Sequence, residues 1–151
     1  MRPISRRRAL ALGVGSAAMA TLGWRGKAAA TPKDAAEAIA KFTGGKAAEK
    51  GNISIEIPEI AENGNTVPIK VSVDAPMQTG NYVSDVLVIA DGNPLPRVVT
   101  FRFTPMSGKA VASTRIRLAT TENIIAVAKT SGGQVFTAQK LVKVTIGGCG
   151  G

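Results

Sequence analysis

Between Asn52 and Ile146 the chain alternates in polarity, and that alternation limits what it can become. Asn52-Ile53-Ser54-Ile55-Glu56-Ile57 alternates strictly, with its isoleucines on one face, and Val67-Pro68-Ile69-Lys70-Val71-Ser72-Val73 does so again. A period of two belongs to a strand with one face in a core and the other in water. Further strand candidates run from Tyr82 to Ala90, Arg97 to Thr104, Ala110 to Leu118, Asn123 to Thr130 and Gln134 to Ile146, the last with a break expected near Gln139. Glu62-Asn63-Gly64-Asn65, Asp91-Gly92-Asn93-Pro94 and Ser131-Gly132-Gly133 are turn signals between them. Parallel strands need crossovers of about a dozen residues or more, usually helical, and the runs lie too close together for that. The expected fold is all-β. It is an immunoglobulin-like antiparallel β-sandwich of about seven strands, with a short N-terminal helix and a flexible C-terminal tail.

The helix is expected just ahead of the strands. Thr31-Pro32-Lys33-Asp34 combines a capping residue, a proline in the first turn and an early acid. Ala35, Ala36, Ala38, Ile39, Ala40 and Phe42 continue it, and Gly44-Gly45 stops it. The spacing predicts a helix from about Pro32 to Thr43, as an appendage to a sandwich spanning 52–146, with 31–51 as helix and linker.

Upstream lies a segment of different character. Residues 1–30 carry Arg2, Arg6, Arg7, Arg8, Arg25 and Lys27 and no acid. The formal charge of +9 arises mostly there, because removing those six bases leaves 13 Lys+Arg against 10 Asp+Glu. The rest is nearly balanced, which argues against nucleic acid as a partner. Ser5-Arg6-Arg7-Arg8 precedes a short, Gly- and Ala-rich apolar run, and Ala18-Met19-Ala20 and Ala28-Ala29-Ala30 are candidate cut sites. This is the plan of a signal peptide, here over residues 1–30. The adjacent Arg6 and Arg7 point to the twin-arginine route, although Ala9 stands where that motif usually has a bulky apolar residue. The expected product is an exported, periplasmic protein without a membrane anchor.

The chemistry is concentrated at the other end, in Gly147-Gly148-Cys149-Gly150-Gly151. The chain has no histidine and one cysteine. An intramolecular disulfide, imidazole catalysis and a Cys/His zinc site are therefore all excluded. Gly147, Gly148, Gly150 and Gly151 offer no side chains to pack, so the pentapeptide is expected to be a flexible arm. Three residues separate Ile146 from Cys149, about 10 Å of reach when extended. The thiol starts near 8.5, and the carboxylate two residues on raises it, so a few per cent is thiolate at neutral pH. With no base and no oxyanion stabiliser of its own, the arm suits a covalent carrier on Cys149 rather than an enzyme. No cofactor or metal is called for. The alternative is an exported, non-catalytic β-sandwich assembly protein that dimerises through its tail cysteine. A Gly-Gly terminus also resembles that of ubiquitin-like sulfur carriers, against which the leader and the all-β pattern count.

With leader, sandwich and tail in view, the chain resembles the SoxY family, the sulfur-carrier subunits of the periplasmic thiosulfate-oxidising (Sox) system. The likeness is clearest in Ile57-Pro58-Glu59-Ile60-Ala61-Glu62-Asn63-Gly64, Ala90-Asp91-Gly92-Asn93-Pro94, Thr100-Phe101-Arg102-Phe103-Thr104-Pro105, Thr114-Arg115-Ile116-Arg117-Leu118 and the terminal pentapeptide. The resemblance implies that Cys149 carries thiosulfonate, persulfide and S-sulfonate adducts. It also implies a SoxZ-like β-sandwich subunit, a haem-containing sulfur-transferring enzyme (SoxAX-like), a sulfate-releasing hydrolase (SoxB-like) and, in some organisms, a molybdenum/haem sulfur dehydrogenase (SoxCD-like) as partners.

Other residues invite functional readings that their context does not favour. Glu56, Glu59 and Glu62 flank Pro58 and a turn and fit a solvated strand end better than a catalytic carboxylate pair. Arg115 and Arg117 share a strand face, most simply a solvated one, and Phe101 and Phe103 share a core face. Val83 to Ile89 and Asn123 to Ala128 are apolar enough to supply a partner-binding sheet face.

Overall fold

The computed structural model describes residues 32–148. Residues 1–31, including Arg6 and Arg7 of the expected export signal, and the tail residues Cys149, Gly150 and Gly151 lie outside the described residues.

Helix α1 (Pro32–Thr43) occupies the predicted span. It ends where Gly44 and Gly45 adopt positive φ (64° and 78°), a conformation open to glycine at little cost, and the Gly45 N–H closes the last turn on the Ala40 carbonyl at 3.0 Å. Ten strands follow: β1 (Glu49–Lys50), β2 (Ile53–Glu56), β3 (Ile60–Asn63), β4 (Val67–Val73), β5 (Met77–Gln78), β6 (Asn81–Ala90), β7 (Arg97–Arg102), β8 (Ala110–Ile116), β9 (Glu122–Thr130) and β10 (Val135–Ile146). All seven anticipated strands are present. The three additional ones, β1, β3 and β5, are too short to show an alternating pattern.

Two sheets form the sandwich. The smaller has the order β2-β4-β8 and is antiparallel throughout. The larger runs β1-β10-β9-β6-β5, with β3 also on β10 and β7 also on β6. The expectation of purely antiparallel pairing needs one amendment: β1 and β3 both pair parallel to β10. Chain that crosses through the small sheet separates β1 from β3 and both from β10, so returning in the same direction needs no helical crossover. β10 is unbroken at Gln139. It pairs with β9 from Val135 to Val142, and its far end, from Lys143 to Ile146, pairs with β3.

The core lies between the sheets. Val67, Ile69, Val71 and Val73 of β4 face Val86, Val88 and Ala90 of β6 and Ile124, Ala126 and Ala128 of β9 within one cluster. Phe101 and Phe103 pack against it, as anticipated. On the outer face of the large sheet, Leu87 and Ile89 are covered by Ala35, Ala38, Ile39 and Phe42 of α1, with Ile125 beside them. The helix is thus a third layer rather than an appendage. β6 is buried on both faces, which is why its sequence is almost continuously apolar. The sheet face that the sequence offered to a partner is therefore filled by the chain's own helix. Lys129 completes that cover, with Nζ 4.5 Å from the Phe42 ring centroid.

Leu87 is fully buried beneath α1. Leu87→Ala is expected to cost about 2–5 kcal/mol, the range for deleting a buried leucine side chain. Urea titration by circular dichroism checks this, and a loss below about 1 kcal/mol would show that α1 is only loosely seated.

Candidate functional site

Cys149 is preceded by residues that the structure places firmly. β10 ends at Ile146, and its last residues are added to β3 through Lys143↔Ile60, Val144↔Ala61 and Ile146↔Asn63. The chain then meets two loops at one end of the sandwich: the β3–β4 turn at Gly64 and the β8–β9 connection at Leu118 and Ala119. Three backbone hydrogen bonds join them. Gly64 N–H donates to Ile146 O at 2.7 Å, Leu118 N–H donates to Gly64 O at 2.8 Å, and Gly148 N–H donates to Leu118 O at 2.8 Å. Each such bond contributes about 1 kcal/mol net.

The approach is so close that side chains are excluded. A Cβ on Gly64 would strike the Leu118 carbonyl oxygen and stand 2.7 Å from the Gly148 nitrogen. A Cβ on Gly147 would strike the Ala119 carbonyl oxygen, and one on Gly148 would lie 2.9 Å from the Gly64 oxygen. Gly148 is buried. Gly147 and Gly148 were expected to be half of a free arm. In the structure they serve as close-packing residues, and their lack of side chains admits them between two carbonyls.

The loop that receives Gly148 is itself held by buried polar groups. Asn93 is 2% exposed, donates from Nδ2 to Arg117 O at 2.8 Å and accepts from Ala119 N–H at Oδ1, also at 2.8 Å. It thus brackets Leu118 on both sides. Asp91 accepts from the Asn123 backbone and side-chain amides, both at 2.8 Å. Thr121 Oγ1 accepts from Val144 N–H at 3.0 Å, tying the same connection to β10. None of these roles was legible in the sequence, where Gly64 and Asn93 read as turn residues. Nothing in a single sequence separates a buried turn asparagine from an exposed one.

Glu122, at the start of β9, is a second carboxylate at this end, beside Asp91. It is 3% exposed; Oε2 accepts from Gly92 N–H at 2.8 Å, while the buried Oε1 has no hydrogen-bond partner among the described residues. Burial holds its carboxyl above the ordinary value of 4.5. The backbone amides of Gly92, Thr120 and Ala119 oppose that shift, and the Asp91 carboxylate adds to it.

The remaining candidates lie where their contexts suggested. Glu56, Glu59 and Glu62 are exposed, and Glu56 pairs with Lys70 at 2.9 Å. Arg115 and Arg117 are exposed on β8 and just beyond it. Among the described residues no group of three or more His, Cys, Asp or Glu side chains is placed to hold a metal ion. None of the described helices is long and apolar enough to cross a membrane.

A carboxyl with a raised folded-state value supports the fold while protonated and loses that support as pH rises through the raised value. The wild type is therefore expected to lose stability relative to Glu122→Gln as pH climbs from about 4.5. Urea midpoints of both proteins between pH 4 and 7 check this. A wild-type-minus-variant difference that does not change with pH would show that Glu122 titrates normally.

Comparison with known proteins identifies the family to which this fold belongs. The family described as "Sulfur oxidation protein SoxY" matches residues 39–149. The solved structure of the sulfur carrier protein SoxY from Chlorobium limicola f thiosulfatophilum is 35% identical, with a TM-score of 0.62 over 72% of this chain and 89% of that one. The superoxide reductase (neelaredoxin) from Ignicoccus hospitalis is 18% identical (TM-score 0.56, 62% of this chain and 80% of that one). A putative superoxide reductase from Thermotoga maritima is 20% identical (TM-score 0.52, 68% and 89%), and these two likenesses concern the fold alone. No curated protein matches. The match over residues 39–149 and the 35% identity to a solved sulfur carrier place the chain in the SoxY family.

Proposed function

We propose that the protein is the covalent carrier of sulfur intermediates in thiosulfate oxidation, with Cys149 as the attachment site. The observation that carries this reading is the position of the chain's one cysteine. It stands between two glycine pairs directly after β10, in a chain of the SoxY family.

In the first step a haem-containing partner accepts two electrons. The Cys149 thiol loses its proton, and its sulfur bonds to the outer sulfur of thiosulfate, giving Cys–S–S–SO3⁻. In the second step a hydrolase adds water across the sulfur–sulfonate bond. Sulfate and a proton leave, and Cys149 retains a persulfide. Neither step needs a base or a metal from this chain, whose sequence contains no histidine. The tether's contribution is concentration: a bound intermediate meets successive active sites without escaping into solution.

The same reading assigns residues 1–30, with Arg6 and Arg7, to a twin-arginine export leader, and places the carrier in the periplasm beside a SoxZ-like subunit. The α1 side chains already pack on Leu87 and Ile89, so those two residues are not open to that subunit.

Incubation with thiosulfate and the haem and hydrolase partners is expected to add a thiosulfonate, then a single sulfur, to Cys149, read by whole-protein mass spectrometry. Cys149→Ser is expected to abolish thiosulfate oxidation while leaving the thermal midpoint unchanged. If the only modified species is a symmetric disulfide, the tail serves dimerisation and the carrier reading fails.

A further inference from the structure

The ring joining Gly64, Leu118 and Gly148 bears on how far the carrier can reach. Gly148 donates to Leu118 O, and Leu118 N–H is in turn held by Gly64 O. Both Gly64 and Gly148 lie where a Cβ would meet backbone rather than a yielding side chain. Backbone cannot step aside as a side chain can, so a methyl group at either position must break the contact. Asn93 fixes the receiving peptide from both sides.

We propose that Gly64 is the positioning residue of the carrier arm: with Leu118 it latches Gly148, so that the arm pivots beyond Gly148 while latched and beyond Ile146 once released. This deepens the carrier reading and rests on it. Release adds two residues to the tether, about 7 Å when extended. The latched arm confines the sulfur to a smaller volume, which raises its effective concentration at an active site docked over this end of the sandwich.

The single cysteine makes the test direct, since a nitroxide reagent labels Cys149 without further engineering. In the full-length wild type, the Gly148 amide is expected to exchange with solvent at least about tenfold more slowly than an unprotected amide. Gly64→Ala is expected to abolish that protection and sharpen the nitroxide spectrum. Val73→Ala, at the opposite end of β4, controls for general destabilisation and is expected to change neither. Enzyme-catalysed loading of unlabelled Gly64→Ala with thiosulfate is expected to slow severalfold, while alkylation of Cys149 by iodoacetamide does not slow.

A Gly148 amide that exchanges freely in the wild type overturns the proposal, and so does a Gly64→Ala protein with wild-type protection, spectrum or loading. If Gly64→Ala fails to fold, Gly148→Ala, whose Cβ meets the Gly64 oxygen at 2.9 Å, replaces it, and the wild-type exchange measurement stands alone. Exchange and label mobility involve no sulfur chemistry. A failed latch and a failed carrier therefore give different results.

Discussion

The Leu118 peptide joins the two halves of the molecule that matter to its tail. Its N–H belongs to Gly64, on the turn that follows β3, and its carbonyl belongs to Gly148, just past β10. β3 and β10 are already paired in parallel, so this peptide closes the end of a ladder that the strands begin. A side chain on any of the three glycines at this point would prevent closure.

The layers beneath that arrangement are closely packed. β6 is packed on both faces, by the inter-sheet core on one side and α1 on the other. At its far end β6 runs into Asp91, Gly92 and Asn93, whose groups hold Arg117, Ala119, Glu122 and Asn123 in place. A buried carboxylate at Glu122, with one oxygen unpaired among the described residues, costs stability. It lies in the same cluster of loops that receives Gly148, where its Oε2 fixes Gly92.

Much of the fold was legible because period-two patterning depends on burial, and burial here is regular. β4 alternates buried and exposed side chains along nearly its whole length, and α1 begins and ends at the residues its capping signals indicated. The parts that were not legible depend on contacts distant in sequence. The outer face of β6 looked available to a partner because nothing in Val83–Ile89 reveals that Ala35, Ile39 and Phe42 return to cover it. β1, β3 and β5 exist through pairing with longer strands rather than through their own pattern. The carrier reading of the tail came from Cys149 and its glycines, and Cys149, Gly150 and Gly151 lie outside the described residues. The packing of Gly147 and Gly148 was not legible, because glycine serves mobility and close packing equally well, and only the positions of Gly64 and Ala119 distinguish the two.

The parallel pairing of β3 with β10 also imposes an order of assembly. Gly148 lies 84 residues from Gly64 and 30 from Leu118 in the chain, and contacts this remote form only after much intervening polypeptide has condensed. The β9–β10 hairpin can zip early, but the seat for the last two glycines is complete only when the N-terminal strands have joined the sheet. An immature or misfolded molecule therefore lacks that seat, and Gly147 and Gly148 are packed only in a chain whose two ends have already met.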